Sequence, residues 1–160
     1  MIGIMADSHD NLTKIKKAVE IFNEKKCSLV IHAGDFVAPF AAKELDKLNC
    51  PVKAVYGNCD GEKLGLNKAF ATLGDIQEPP FIFEHEKLKI LVLHAPNQLE
   101  EYIAQKKFNI IVYGHLHKPK AEKKEGVLII NPGETCGWLS GKGTIAIVNP
   151  DTLSWEFIEL

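Results

Sequence analysis

The chain has 160 residues and a formal net charge of -2, with 25% of its residues charged. That length suits one domain spanning residues 1–160 with a core large enough to need no covalent staples, and the charge balance excludes a broad basic face for nucleic acid. All 19 basic residues are lysine, which excludes bidentate guanidinium recognition of phosphate; lysine, backbone N–H groups or cations must supply any positive charge an anion meets.

In chain order, residues 2–6 (IGIMA) are a short apolar run and predict a buried strand. Leu12, Ile15, Val19 and Phe22 then recur at spacings of three and four, the signature of one helix face, with Asp10 or Asn11 placed to cap its start. Residues 29–33 (LVIHA) predict a second strand. A second amphipathic helix is expected over 40–48, after Pro39, a favourable first-turn residue. Residues 52–56 predict a third strand and 62–73 a third helix. This β-α alternation implies parallel strands whose C-terminal ends gather on one edge, where α/β proteins place their sites.

The second half changes character. FIFEH (81–85) and LKILVLHA (88–95), joined by a tight polar turn, predict an antiparallel hairpin. A helix carrying Leu99, Tyr102 and Ile103 follows. Strands are expected at 109–115, 126–133, 143–149 and 153–160, and their short connections place them together in a second sheet. The fold class expected is α/β, a four-layer α/β/β/α sandwich of two mixed sheets flanked by helices. The N-terminus lacks the pattern of a signal peptide, and no apolar stretch approaches the ~20 residues of a membrane span. Cys27, Cys50, Cys59 and Cys136 form no CxxC pair. Together these features predict a cytoplasmic protein with reduced thiols and no membrane association.

Polar residues stand where the apolar strands end: Asp7 and His9, Gly34-Asp35, Gly57-Asn58-Cys59-Asp60, His94, and His115 with His117. In extended backbone, residues i and i+2 point the same way, so Asp7 and His9 would meet one cation, and His115 and His117 repeat that geometry. Asp35 offers two oxygens that would bridge two cations, and Asn58 a neutral amide oxygen. This nitrogen and oxygen set without thiolate suits Mn²⁺, Fe²⁺, Zn²⁺, Ni²⁺ or Co²⁺ rather than Ca²⁺. Seven donors are too many for one such ion and suit two. His32 and His85 are assigned to structure, and Trp138 and Trp155 to packing rather than substrate stacking, with the loop that carries Trp138 placing it at the border of the cleft as the other reading.

The ordered set DSH, GD, GNCD, H and GHLH, followed by NPGE at 131–134, resembles the signature of the calcineurin-like metallophosphoesterases, and most closely the small single-domain bacterial and archaeal phosphodiesterases among them. The resemblance implies two divalent ions per chain, with Mn²⁺ first and Ni²⁺, Zn²⁺, Fe²⁺ or Co²⁺ as the other choices. Asp7, His9 and His117 would hold one ion, Asn58, His94 and His115 the other, and Asp35 would bridge. It further implies hydrolysis of a small phosphoester, most simply a diester, by a hydroxide bridging the ions, with Asp35, Asn58 and His94 at the catalytic centre. A phosphomonoesterase and a non-catalytic metal-binding scaffold, like the retromer subunit of this fold, are the alternatives.

One departure is chemical. Many relatives carry histidine, facing the substrate phosphate, where this chain has Cys59. A nucleophilic role for Cys59 is disfavoured because cysteine phosphatases pair their thiol with arginine. The remaining readings are a substrate-facing thiol, a metal ligand and a residue that only fills space. Asp60 is expected behind the ligands, fixing the loop. Exposed apolar strand edges leave room for a homo-oligomer.

Overall fold

The computed structural model describes all of residues 1–160. Its first sheet is built on β1 (Ile2–Met5), β2 (Leu29–His32), β3 (Val52–Val55) and β4 (Gly74–Gln77), four parallel strands in that order. β10 (Thr144–Val148) lies antiparallel to β1, and β11 (Trp155–Glu159) antiparallel to β10, completing six strands. The second sheet has the order β5 (Phe81–His85), β6 (Leu88–Val92), β7 (Ile110–Val112), β9 (Val127–Pro132), β8 (Pro119–Lys124). Its central strands β6, β7 and β9 are parallel.

Strand alternation makes the layers. Ile2, Ile4, Leu29, Ile31, Ala146 and Val148 face inward from the first sheet and pack against Ile90, Val92, Ile110, Val112, Leu128 and Ile130 of the second. The opposite residues of the first sheet, such as Met5, Val30, Val52, Ala54, Ile145 and Ile147, face a helical layer. That layer contains α1 (Leu12–Glu24), α2 (Pro39–Ala42) and α3 (Lys63–Phe70). Leu91, Ile111 and Ile129 face α4 (Leu99–Ala104) through Ile103, with Leu99 and Tyr102 alongside. The four-layer sandwich expected from sequence is therefore the fold. Helix α1 buries the stripe Ile15, Val19 and Phe22, and Asn11 caps it by accepting from the Lys14 amide.

Several elements differ from expectation. The helix expected over 40–48 is one α turn, α2, followed by a 3-10 stretch, Lys43–Lys47. Its apolar residues are too sparse to hold a long regular face. The third helix ends at Phe70, and Gly74–Gln77 forms β4, a four-residue strand with one buried side chain, Ile76, that leaves little period-2 signal. Residues 144–148 and 155–159 join the first sheet rather than the second, because short connections constrain only which strands are neighbours, not which sheet they extend. β8 escaped notice since it reads PKAEKK and is almost wholly exposed. Its lysines also blunt that sheet edge against further pairing. All four cysteines are free thiols. No helix is long and apolar enough to cross a membrane.

Candidate metal centre and active-site cleft

The C-terminal ends of parallel strands from both sheets converge on one site. The loops after β1, β2 and β3 carry Asp7 and His9, Asp35, and Asn58 to Asp60; those after β6, β7 and β9 carry His94, His115 with His117, and Glu134. Backbone hydrogen bonds lace these loops together. The amides of Asp7 and His9 donate to the carbonyls of Gly34 (2.9 Å) and Asp35 (3.1 Å), that of Gly114 to His94 (2.9 Å), and that of Cys136 to Asp7 (3.1 Å).

The side chains converge by a different route from the one expected. Asp7 (φ 51°), His9 (36°), Asp35 (61°), His115 (67°) and His117 (57°) lie past the strand ends in left-handed backbone. Such a conformation costs a non-glycine residue on the order of 1–3 kcal/mol and persists only where surroundings enforce it. Turned backbone, rather than extended i and i+2 geometry, aims these groups. It also separates His115 from His117. His117 stacks with His9 at 5.3 Å between ring centroids, whereas His115 meets His94 edge-on at 5.1 Å.

The first half of the site holds Asp7, His9 and His117, whose donor atoms lie within 4.8 Å of one another. Asp7 is fully buried, and burial pushes its carboxyl up to about 6, against the pull of His117 and His94. Its oxygens accept from the His115 amide at 3.2 and 3.0 Å, and His117 Nε2 stands 3.7 Å from Oδ1. His9 Nε2 is buried with no hydrogen-bond partner and lies 3.6 Å from Asp35 Oδ2.

The second half holds His94, His115 and Asn58. His94 Nδ1 is 2.8 Å from the Ala33 carbonyl, which can only accept, so Nδ1 carries a proton and Nε2 of the neutral ring presents a lone pair. That lone pair faces Asn58 Oδ1 at 2.8 Å and Asp35 Oδ2 at 3.5 Å. Burial opposes charge on His94, but the neighbouring Asp35 carboxylate and the Ala33 carbonyl raise its pKa overall. His115 Nδ1 meets the same Asn58 oxygen at 2.9 Å.

Asp35 joins the halves. Its Oδ2 sits between His9 and His94, while Oδ1 accepts from the Cys59 amide at 2.8 Å. Only one of its oxygens therefore faces both halves, not the two expected. Burial works against its ionisation, but the His94 ring beside it and the hydrogen bond from the Cys59 amide hold its carboxyl well below the usual carboxylate range. Gly57 makes this possible, because a Cβ there would fall 2.1 Å from Asp35 Oδ1.

These donors fit cations. Buried carboxylates without a fixed counter-charge are costly, Asp7 and Asp35 are such carboxylates, and an orphaned imidazole nitrogen and an acceptor-to-acceptor contact point into the space between them.

Residues behind the ligands fix their aim. Asp60 is buried and accepts from the amides of Asp35 (3.0 Å), Val37 (2.8 Å) and Gly57 (2.7 Å), tying two loops together. His32 is buried, stacks on Phe36, accepts from the Gly34 amide at Nδ1 (3.2 Å) and thus donates from Nε2 to Ser8 Oγ (3.0 Å). Burial lowers its pKa to about 3. The unfolded chain protonates His32 near 6.5, so its contribution to stability is intact above that pH and shrinks as pH falls toward 3. Asp7, with its raised pKa, titrates in the opposite sense, so the test is a comparison. Stability of the wild type should fall relative to His32→Asn by about 1.4 kcal/mol per pH unit between 6 and 4.5 in urea unfolding; equal pH dependence would contradict the assignment.

Glu134 is the residue sequence reasoning missed. NPGE counted only toward the family resemblance, yet Glu134 Oε2 lies 3.0 Å from His117 Nδ1 and fixes the tautomer that leaves Nε2 free. Its carboxylate also accepts from the amides of Leu139 and Ser140 and from the Cys136 thiol. Burial would raise its pKa, but these donors hold it at about 2. The available signal was its place: the end of a strand paired in parallel with the one that bears His117. Cys136 itself is pushed up to about 12 by burial and by Glu134, so it stands as a hydrogen-bond donor.

Two open clefts meet at the site. One, of about 390 Å³, is lined by His9, Asp35, Cys59, His117, Trp138 and Leu139, among others. The other, of about 380 Å³, is lined by Tyr56, Glu78, Pro79, Ala95 and Asn97, and shares Asn58 and His115 with the first. A larger groove of about 560 Å³, lined by Leu45, Asp46, Leu48 to Pro51 and Ala71 to Gly74, opens at the start of β3, away from every candidate ligand. Trp138, read as packing or as bordering the cleft, borders it and is 64% exposed; Trp155 packs beside the inter-sheet core.

The family model for the calcineurin-like phosphoesterase superfamily domain matches residues 1–153. The chain belongs to the calcineurin-like phosphoesterase superfamily. Within it, this phosphoesterase is 43% identical to a Methanocaldococcus jannaschii protein named phosphodiesterase MJ0936, over 99% of this chain and 97% of the relative. A solved structure described as a novel archaeal phosphodiesterase superposes with a TM-score of 0.94 at 39% identity, covering 99% of both chains. Vps29 of Chaetomium thermophilum shares the fold alone, with a TM-score of 0.68 at 16% identity over 99% of this chain and 94% of that one. The phosphoesterase fold thus places its strand-end loops where Asp7, His9, Asp35, Asn58, His94, His115 and His117 meet.

Proposed function

We propose that this chain is a metal-dependent phosphodiesterase with a dinuclear centre. Asp7, His9 and His117 would hold one divalent cation and Asn58, His94 and His115 the other, with Asp35 between the two sets. The observation that carries this reading is Asp35 Oδ2 standing 3.6 Å from His9 Nε2 and 3.5 Å from His94 Nε2, one carboxylate oxygen shared by two donor sets. Two cations held there, with Mn²⁺ first among those this donor set suits, supply charge neutralisation at phosphorus and an activated water for in-line attack.

The chain's own groups position these parts. The Ala33 carbonyl and Glu134 fix the tautomers of His94 and His117, so that each presents Nε2 to its cation. Asp60 keeps Asp35 and Asn58 in register by holding the amides of both loops. Since the chain has no arginine, developing charge at phosphorus falls to the cations and to backbone donors. The two clefts meeting at Asn58 and His115 give each arm of a diester its own side, and the name of the archaeal relative agrees.

The test is hydrolysis of bis(p-nitrophenyl) phosphate and p-nitrophenyl phosphate by protein stripped with EDTA and then resupplied with Mn²⁺. Turnover of the diester that vanishes with EDTA and returns with Mn²⁺ is expected. Preference for the monoester would make the chain a phosphomonoesterase, and no turnover with two bound ions would make it a scaffold. Glu134→Gln should weaken Mn²⁺ binding by about 10–100-fold in titration calorimetry, the usual cost of losing a carboxylate behind a ligating histidine. Unchanged affinity would remove Glu134 from the centre.

A further inference from the structure

We propose that Trp138 and Leu139 form a subsite that takes a flat, uncharged aromatic arm of the phosphoester, an aryl group or a nucleobase. The inference rests on the phosphodiesterase reading above and narrows its substrate class.

Trp138 is 64% and Leu139 77% exposed, and both line the cleft that contains His9, Asp35 and His117. Single exposed apolar residues are ordinary, but two adjacent large ones beside a buried charged centre form a patch with a direction. The indole is anchored, because Nε1 donates to the His9 carbonyl at 3.2 Å. Its one polar atom is thereby satisfied by the protein, and what it offers the cleft is an aromatic surface without a free donor.

The segment carrying it is braced in advance. Glu134 accepts from the amides of Leu139 (3.1 Å) and Ser140, the Gly141 amide donates to the Gly137 carbonyl (3.1 Å), and Ser140 Oγ donates to the Lys142 carbonyl (2.8 Å). Glu134 is the same carboxylate that orients His117, so the wall and the candidate ligand share one fixed reference. A braced apolar wall loses little entropy on binding, which favours a rigid ring over a flexible chain.

Charge narrows the class further. No lysine lines this cleft, and the chain has no arginine. An arm bearing a second phosphate would meet no cationic side chain there, so the arm is neutral. The neighbouring cleft, with Glu78 and Asn97, is the polar one and suits the other arm.

The experiment uses two phosphonates, which cannot be hydrolysed, titrated calorimetrically into the full-length Mn²⁺-loaded protein. Stacking of a base or aryl ring on an aromatic side chain corresponds to roughly 5–150-fold in affinity. Phenylphosphonate should therefore bind about tenfold or more tighter than methylphosphonate, and only phenylphosphonate should perturb indole emission. Trp138→Ala should abolish the preference while leaving methylphosphonate affinity unchanged, and Trp138→Phe should restore most of it. Equal affinities in the wild type, or a preference that survives Trp138→Ala, would overturn the subsite. A variant that changes sedimentation but keeps the preference would assign the wall to contact between copies, and likewise overturn it. If neither phosphonate binds, the phosphodiesterase reading fails first and takes this inference with it.

Discussion

Asp35→Asn should reduce bound Mn²⁺ from two equivalents per chain to at most one and lower diester turnover by on the order of 10³-fold. The substitution is nearly isosteric. Its remaining oxygen still accepts the Cys59 amide at the Oδ1 position, where the distance is 2.8 Å, so the loop geometry survives. What changes is the atom at Oδ2, which becomes an NH₂ group facing the imidazole nitrogens of His9 and His94. An amide nitrogen presents no lone pair to a cation, and the negative charge that both halves share is lost. The buried Asp7 carboxylate remains and still serves the first half. The measurement is metal content after equilibrium dialysis, with circular dichroism to verify folding. Two equivalents retained together with near-wild-type turnover would mean that Asp35 does not bridge.

Cys59→His should raise the rate on diesters with poor leaving groups by up to about 10²-fold while changing p-nitrophenyl esters little, since a general acid contributes typically 10²–10⁴-fold where the leaving oxygen needs a proton. Cys59 is exposed in the cleft, and its thiol accepts from Asn58 Nδ2 at 3.3 Å. Burial of its sulfur and the hydrogen bond to and charge of Asp35 push the thiol up to about 11. A group so weakly acidic contributes little protonation of a leaving alkoxide, whereas an imidazolium at that place would protonate it. The readout is the dependence of log kcat on leaving-group pKa, which should become shallower in the variant. Parallel slopes for wild type and variant would show that position 59 takes no part in leaving-group protonation. As a ligand, Cys59 is within reach, its sulfur lying within 4.8 Å of donors on His9 and Asp35; a Cys59→Ala variant that keeps both ions would exclude that role.

Much of this was legible in the sequence because buried parallel strands write plain apolar runs, and each of the candidate ligands follows one. The four-layer order followed from a chain whose first half alternates strand and helix and whose second half is mostly strand. What stayed hidden has physical causes. Thr144–Val148 and Trp155–Glu159 gave the right strands in the wrong sheet, since the apolar pattern of a strand says which face is buried but not which neighbour it takes. PKAEKK carried no apolar pattern because an edge strand needs none. Asp7, His9, Asp35, His115 and His117 were found as residues, but their left-handed backbone was not, because that geometry is imposed by hydrogen bonds between loops distant in sequence. Glu134 was missed, and Trp138 was left between packing and the cleft border, for the same reason: each meets a partner, His117 or His9, more than a dozen residues away.

The central claim is a dinuclear centre that makes this chain a phosphodiesterase. Its most direct measurement is a Mn²⁺ titration of EDTA-stripped protein, following bound metal by elemental analysis and hydrolysis of bis(p-nitrophenyl) phosphate in the same samples. Binding that saturates at two ions per chain, with turnover rising mainly as the second is filled, is the predicted result. Full turnover at one ion or none would contradict it.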